Sequence, residues 1–325
     1  MKVTILGTGA YGLALSLMFN KKVNDIVLWT KFEDEKKEIE KNRGNHKALP
    51  NIRIPDNIKV TTDFDDAIKG ATLIVIAVPA AFVDDMGQLL KDKITPNQHI
   101  CVASKGIERD TCSFVHDILL RNVETENLAV ISGPSFAIDI ANMNPVGLSV
   151  ATKNPKTEAI LKSTLQNDTL KLRTTDDIIG VEICGSIKNV IAIAAGILSG
   201  MDYSESTQAM FITESLHDIK SLIDALGGNK NTILSFAGVG DLLLTATSTK
   251  SRNFKLGFMI GSNASKEELE EYMNNTTIEG LYTLKSIYKL LGDKKVDMPI
   301  IDLIHEIIYE HADPKNLATF LIEKQ

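Results

Sequence analysis

The chain has 325 residues, 44% hydrophobic and 24% charged, with a formal net charge of −7. That length suits two domains better than one core, and the composition is that of a globular protein. The acidic balance argues against nucleic acid or an anionic membrane as the main partner, so any anionic metabolite needs a local set of Lys and Arg side chains. Three cysteines, Cys101, Cys112 and Cys184, show neither metal-ligand spacing nor a paired pattern, which fits a reducing cytoplasm and no metal site. The opening MKVTILGTGAYG enters a strand at once instead of forming a signal peptide. No run approaches about 18 uninterrupted apolar residues, so no transmembrane helix is expected.

In chain order, Val3–Leu6 predicts a strand and Tyr11–Lys21 a helix. Between them Gly7-Thr8-Gly9-Ala10-Tyr11-Gly12 has the spacing G-x-G-x-x-G. The first glycine permits the tight turn, the second lets backbone approach a pyrophosphate, and the third lets helix and strand pack closely. Gly7, Gly9, Ala10, Tyr11 and Gly12 are therefore candidate cofactor-binding residues. The second strand, Ile26–Trp29, runs into Thr30 and Lys31 with no acid to bond the adenosine ribose hydroxyls. Lys31 is a candidate for a 2′-phosphate, and the choice between NAD and NADP stays open. Phe32–Asn42 predicts a helix, with the charged run Lys31–Lys41 as its solvated face.

Strands at Leu73–Val78, Ile100–Ala103, Leu128–Ser132 and Gly147–Ala151 follow, with helices at Ala81–Leu90 and Thr111–Arg121. Near-continuously apolar strands separated by helices predict a Rossmann-like, doubly wound parallel sheet covered on both faces. Ser104-Lys105-Gly106 and the segment Ser132–Ala137 each follow a strand. Ligands in open α/β sheets bind at that carboxyl edge. Exposed N–H groups and a hydroxyl in the second of these segments could hold a small polar ligand.

From about Asp176 the pattern becomes helical: Ile178–Ser199, Thr207–Leu226, Lys266–Asn274, Glu279–Leu291 and Pro299–Tyr309. The expected organisation is an α/β dinucleotide-binding domain over 1–178 and an all-α substrate and catalytic domain over 179–325. Within Ile178–Ser199, Lys188 falls among small residues, off the apolar stripe. A lysine so placed suits proton transfer. Gly238-Val239-Gly240-Asp241 brings a carboxylate on a flexible turn. Ser251-Arg252-Asn253 offers a guanidinium flanked by hydroxyl and amide, a local candidate for gripping phosphate.

With these residues in place, the chain resembles an NAD(P)-dependent glycerol-3-phosphate dehydrogenase of the soluble type. The matching segments are GTGAYG at 7–12, HKALPNIRIPDNIKVTTD at 46–63, VASKGIE at 102–108 and SGPSFA at 132–137. They continue as GSIKNVIAIAAGI at 185–197, FAGVGDLLLTATSTKSRN at 236–253, EG at 279–280 and MPI at 298–300. The resemblance implies reversible reduction of dihydroxyacetone phosphate to sn-glycerol 3-phosphate with NADH or NADPH, feeding glycerophospholipid synthesis, in a cytoplasmic homodimer. It implies Lys188 as proton donor and acceptor, with Lys105 between cofactor and substrate and Asp241 beside the lysine. Gly133, Ser135, Thr245, Ser251, Arg252 and Asn253 fall on substrate contacts. Ala137, Arg252 and Glu279 fall on cofactor contacts.

One stretch departs from the pattern. Where the family reads close to G-D-N-A-x-A-A-L-I-T-R-G, this chain has Ser206 at the asparagine and Glu214 at the arginine. Serine offers fewer hydrogen-bonding positions than an amide. Two other readings therefore stand beside the first: a related two-domain dehydrogenase for another hydroxy phosphate or hydroxy acid, and a non-catalytic NAD(P)-binding redox sensor.

Overall fold

The computed structural model describes residues 1–108 and 111–323. The chain groups into two units, one made of Met1–Lys105 and Val115–Ile178, the other of Gly106–Phe114 and the chain from Ile179 onward. The short stretch Gly106–Phe114, with an isolated bridge between Ile107 and Phe114, thus belongs with the helices and not with the sheet.

The first unit alternates strands and helices. They run β1 (Lys2–Leu6), α1 (Ala10–Asn20), β2 (Asp25–Trp29), α2 (Glu33–Asn42), β3 (Ile58–Thr61), α3 (Phe64–Ile68), β4 (Leu73–Ile76) and α4 (Val83–Leu90). Then come β5 (His99–Val102), α5 (Val115–Leu120), β6 (Leu128–Ser132), α6 (Ala137–Ala141), β7 (Val146–Ala151), α7 (Pro155–Leu165) and β8 (Leu170–Thr175). The strands form one eight-stranded sheet in the order β3-β2-β1-β4-β5-β6-β7-β8. Every residue of β4 and β5 is buried, so both faces of the sheet centre are covered, as their continuous apolar runs require. The chain winds from β1 outward through β2 to β3, then returns to the other side of β1 with β4. That reversal places the glycine turn after β1 at the topological switch point, where open α/β sheets take their ligands.

The sheet is not wholly parallel. β7 joins β6 antiparallel, with Ser132 opposite Ser149 and Val130 opposite Ala151. The connection carries only α6, a five-residue helix, which spans roughly 8 Å at 1.5 Å per residue and falls short of a strand's length. The chain therefore turns back beside β6 instead of crossing over. β3 and β8, which the strand pattern did not predict, are the two edges; β3 alternates buried Ile58 and Val60 with exposed Lys59. α7 is entered through Asn154, whose side chain accepts from the backbone N–H groups of Lys156 and Thr157, with Pro155 in the first turn.

The second unit is built on α8 (Ile178–Gly200), in which every residue from Gly180 to Leu198 is buried. It also contains α9 (Glu205–Ala225), α10 (Asp241–Ala246), α11 (Arg252–Gly261), α12 (Lys266–Asn275), α13 (Glu279–Leu291), α14 (Pro299–Tyr309) and α15 (Asn316–Glu323). By length and composition α8 could cross a membrane, but 83% of its apolar window is buried inside the structure, so it is a core helix. It meets α11 backbone to backbone. A Cβ at Gly257 would lie 1.8 Å from the Ile193 carbonyl oxygen, and one at Gly196 would lie 2.1 Å from that of Phe254. Gly200 and Gly261 continue the seam, so small residues on both helices replace side-chain interdigitation with main-chain contact. The buried Asp218 of α9 caps α14, its Oδ2 accepting from the N–H groups of Ile300 and Ile301 at 2.7 and 2.9 Å. None of the three cysteines forms a disulfide, and burial pushes the Cys101 thiol well above its ordinary pKa.

Candidate active site

At the carboxyl edge of the sheet, the turn after β1 has the geometry its glycines imply. Gly7 has φ +120°, and a Cβ there would meet the Ala77 carbonyl oxygen at 2.6 Å. A Cβ on Gly12 would meet the Gly7 oxygen at 2.1 Å. Both positions need glycine for the fold itself. Gly9 is different: a Cβ there has no protein atom within 4 Å. It also precedes α1, whose N-terminus carries no side-chain cap and no acidic residue in its first turn. The positive end of the helix dipole therefore lies beside an open position, which fits an incoming pyrophosphate. Gly9→Ala is expected to leave the melting temperature of the unliganded protein unchanged while weakening NADH binding by about tenfold or more, checked by thermal shift and nicotinamide fluorescence.

Beside this turn a polar cluster joins three loops. The Tyr11 hydroxyl lies 3.0 Å from Ser135 Oγ, and Ser135 donates to the Gly133 carbonyl at 3.0 Å. The same carbonyl accepts from Lys105 Nζ at 3.3 Å, and that ammonium lies 6.0 Å from the centre of the Tyr11 ring. Lys105 extends from the end of β5 and is half-buried. Ala10 and Ala137 are partly buried against the sheet core, in the neighbouring helices α1 and α6. Gly133 has a structural reason of its own: a Cβ would meet the Gly147 oxygen of β7 at 2.4 Å.

The tip of β2 is not as its sequence suggests. Lys31 is exposed, whereas Glu35, inside the run expected to be a solvated face, turns inward. Its Oε2 accepts from Thr8 Oγ1 at 2.5 Å and from Thr30 Oγ1, and its Oε1 accepts from Asn45 Nδ2 at 3.0 Å. Sequence reasoning missed Glu35 and Asn45. The signal available was an acid some twenty residues past the third glycine.

In the helical unit, Lys188 Nζ donates to Asp241 Oδ1 at 2.7 Å, with side-chain exposures of 11% and 2%. Asp241 begins α10 after an irregular turn at Phe236–Gly240. Gly238 has non-helical φ/ψ there, and a Cβ on it would meet the Ile233 oxygen at 2.1 Å. Such π-turns recur where a side chain must be aimed. Buried ion pairs carry a desolvation cost that seldom leaves net stability. A buried lysine on a largely apolar core helix, ion-paired to the buried Asp241 carboxylate, therefore points to chemistry more than to folding. One turn on, the Thr245 hydroxyl donates to the Asp241 carbonyl at 2.7 Å.

Beside Lys188, Asn189 ties three helices together. Its Nδ2 donates to Glu279 Oε2 at 3.1 Å, and its Oδ1 accepts from Asn253 Nδ2 at 3.0 Å. Asn253 Oδ1 in turn accepts from Gly280 N–H at 2.9 Å. The sequence did not single out Asn189, whose amide bonds both Glu279 and Asn253. Ser251 is the N-cap of α11, its hydroxyl accepting from Phe254 N–H, which leaves the O–H to donate elsewhere. Arg252 follows it, exposed in the helix's first turn. Of the two departures, Ser206 is exposed in the first turn of α9 and Glu214 is half-buried on the same helix.

A Rossmann-type sheet with its glycine turn at the switch point, joined in one chain to a helical unit, is the build of a nicotinamide-dependent dehydrogenase. Family models described as the N-terminus and C-terminus of NAD-dependent glycerol-3-phosphate dehydrogenase match residues 2–158 and 177–319. The chain belongs to that family. It is 34% identical over 315 residues to a Fusobacterium nucleatum protein named glycerol-3-phosphate dehydrogenase (NAD(P)+), covering 96% of this chain and 94% of the relative. A Staphylococcus aureus protein of the same name is 33% identical over 326 residues, covering 99% and 98%. The crystal structure of glycerol-3-phosphate dehydrogenase from Coxiella burnetii superposes with a TM-score of 0.89 at 31% identity, covering 99% of each chain.

Proposed function

We propose that this chain reversibly reduces dihydroxyacetone phosphate to sn-glycerol 3-phosphate, and that the buried Lys188–Asp241 pair carries the reading. The bound nicotinamide dinucleotide supplies or accepts the hydride at C2 of the substrate. In the reductive direction negative charge grows on the C2 oxygen, and the Lys188 ammonium gives its proton there. Asp241 fixes the position of that ammonium and carries the charge that balances it. In the oxidative direction the neutral lysine takes the hydroxyl proton back. Ser251, Arg252 and the remaining N–H of Asn253 grip the phosphate, and the binding energy of that remote group orients the reacting carbon. Thr245 and Glu279 flank this machinery as substrate and cofactor contacts.

The sheet unit holds the dinucleotide. The α1 N-terminus with Gly7, Gly9, Ala10, Tyr11 and Gly12 takes the pyrophosphate, and Ala137 adds a cofactor contact. Lys105 contributes positive charge, with Gly133 and Ser135 as polar substrate contacts. Retention of Lys105, Lys188 and Asp241 speaks against a non-catalytic sensor. The product's chemistry suits supply of glycerophospholipid backbones, and the family pattern supports a cytoplasmic homodimer, whose mass light scattering would show.

A spectrophotometric assay with dihydroxyacetone phosphate and each reduced cofactor tests the proposal. Turnover on that substrate well above turnover on other hydroxy-carbonyl phosphates is the expected outcome. A stronger response to another phosphate or to a 2-oxo acid would transfer the site to a related reaction and put Ser206 and Glu214 at its origin.

A further inference from the structure

We propose that Glu35 is the residue that selects the cofactor, and that it makes this chain prefer NADH to NADPH. The inference rests on the dinucleotide site proposed above and concerns its adenosine end. In a Rossmann site the ribose attached to adenine reaches the carboxyl tip of β2, where an acid accepts from its hydroxyls or a base accepts a 2′-phosphate. The sequence at that tip, Trp29-Thr30-Lys31, shows no acid and one base. The structure fills the place from the next helix instead. Glu35, in the first turn of α2, folds back so that its carboxylate bridges Thr8 of the glycine turn and Thr30 at the end of β2.

The bonds fasten the group in one position. Its three donors are the hydroxyls of Thr8 and Thr30 and the Asn45 amide, all from buried residues. Asn45 is itself held by a bond from Nδ2 to the Thr8 carbonyl at 3.3 Å. All three donors are neutral, so they fix the carboxylate without cancelling its charge. A carboxylate offers about four acceptor positions, and three are used. The one remaining can take a ribose hydroxyl, which is a donor. A 2′-phosphate brings about two negative charges and little to donate, and meets a carboxylate that cannot swing away. Glu33 and Asp34 in the same helical turn add to the unfavourable field. The lysines nearest in sequence, Lys31, Lys36 and Lys37, project from the turn and from α2; Lys31 and Lys37 are exposed.

The test is direct binding, read by nicotinamide fluorescence and by calorimetry with 5′-ADP and 2′,5′-ADP as adenosine-end probes, on wild type and Glu35→Gln. Wild type should bind NADH at least about tenfold more tightly than NADPH, with the same order for the two probes. Glu35→Gln keeps the side-chain shape and removes the charge. It should narrow the preference by about tenfold, chiefly through tighter NADPH and 2′,5′-ADP binding. Equal affinities in wild type overturn the proposal, as does a preference that the substitution leaves in place. If neither dinucleotide binds at all, the dinucleotide site falls with it, which separates that failure from a wrong cofactor choice.

Discussion

Lys188→Ala should lower kcat/KM for dihydroxyacetone phosphate by about 10²–10⁴-fold, the contribution expected of one positioned proton donor. Binding of NADH should stay close to wild type, because the glycine turn and its neighbours lie in the sheet unit and Lys188 in the helical one. The informative comparison is kcat against KM. Loss of an interaction made in the transition state lowers kcat and kcat/KM together, whereas loss of simple substrate binding raises KM alone. Steady-state rates in both directions, with cofactor titration by fluorescence, provide the check. A variant retaining more than a tenth of wild-type turnover would remove Lys188 from the reaction.

Asp241→Ala addresses stability as well as rate. It breaks the buried pair with Lys188 from one side, which costs about 3–5 kcal/mol. Urea denaturation should register that loss. The double substitution Lys188→Met with Asp241→Leu removes both charges and is expected to recover most of the stability, since apolar replacements of buried pairs are often neutral or better. It should nonetheless remain without turnover. A stable but inactive double variant beside an unstable single one separates the pair's chemical role from its packing. Equal stability of all three proteins would mean that water reaches the pair freely.

Much of the sheet unit was legible because its signals are local. Strand, glycine turn and helix over the first twenty residues follow one another without need of distant partners. The central strands announce themselves as apolar runs because both of their faces are covered. The edges β3 and β8 were missed for the converse reason: with one side open they carry Lys59, Lys171 and Arg173 and read as loops. The antiparallel turn into β7 was also invisible, since alternation of strands and helices does not reveal how short α6 is.

In the helical unit, Lys188 and Asp241 could each be picked out, and the family pattern put them side by side. The 2.7 Å contact spans 53 residues of chain. Asn253 shows the limit more sharply. As part of Ser251-Arg252-Asn253 it reads as a candidate phosphate grip, and the structure sets it in the first turn of α11. There both ends of its amide are bonded, to residues far away in sequence, Asn189 and Gly280. Glu35 is a mixed case. Thr30 and Asn45 are near it in sequence and Thr8 is 27 residues away, and only the packed turn shows that one member of a charged helical face points inward.

The glycine seam between α8 and α11 has a metric consequence. Lys188 and Asn189 stand on one of these helices, and Ser251, Arg252 and Asn253 open the other. Because Gly196, Gly200, Gly257 and Gly261 bring main chain against main chain, no rotamer change can slide one helix along its partner. The interval from the lysine to the Ser251–Asn253 turn is therefore gauged by backbone alone. On the proposed reading it works as a ruler for the span between a phosphate and a carbonyl carbon. Tuning it to a longer or shorter molecule would require remaking a whole helix contact, and a few side chains lining the site would not suffice.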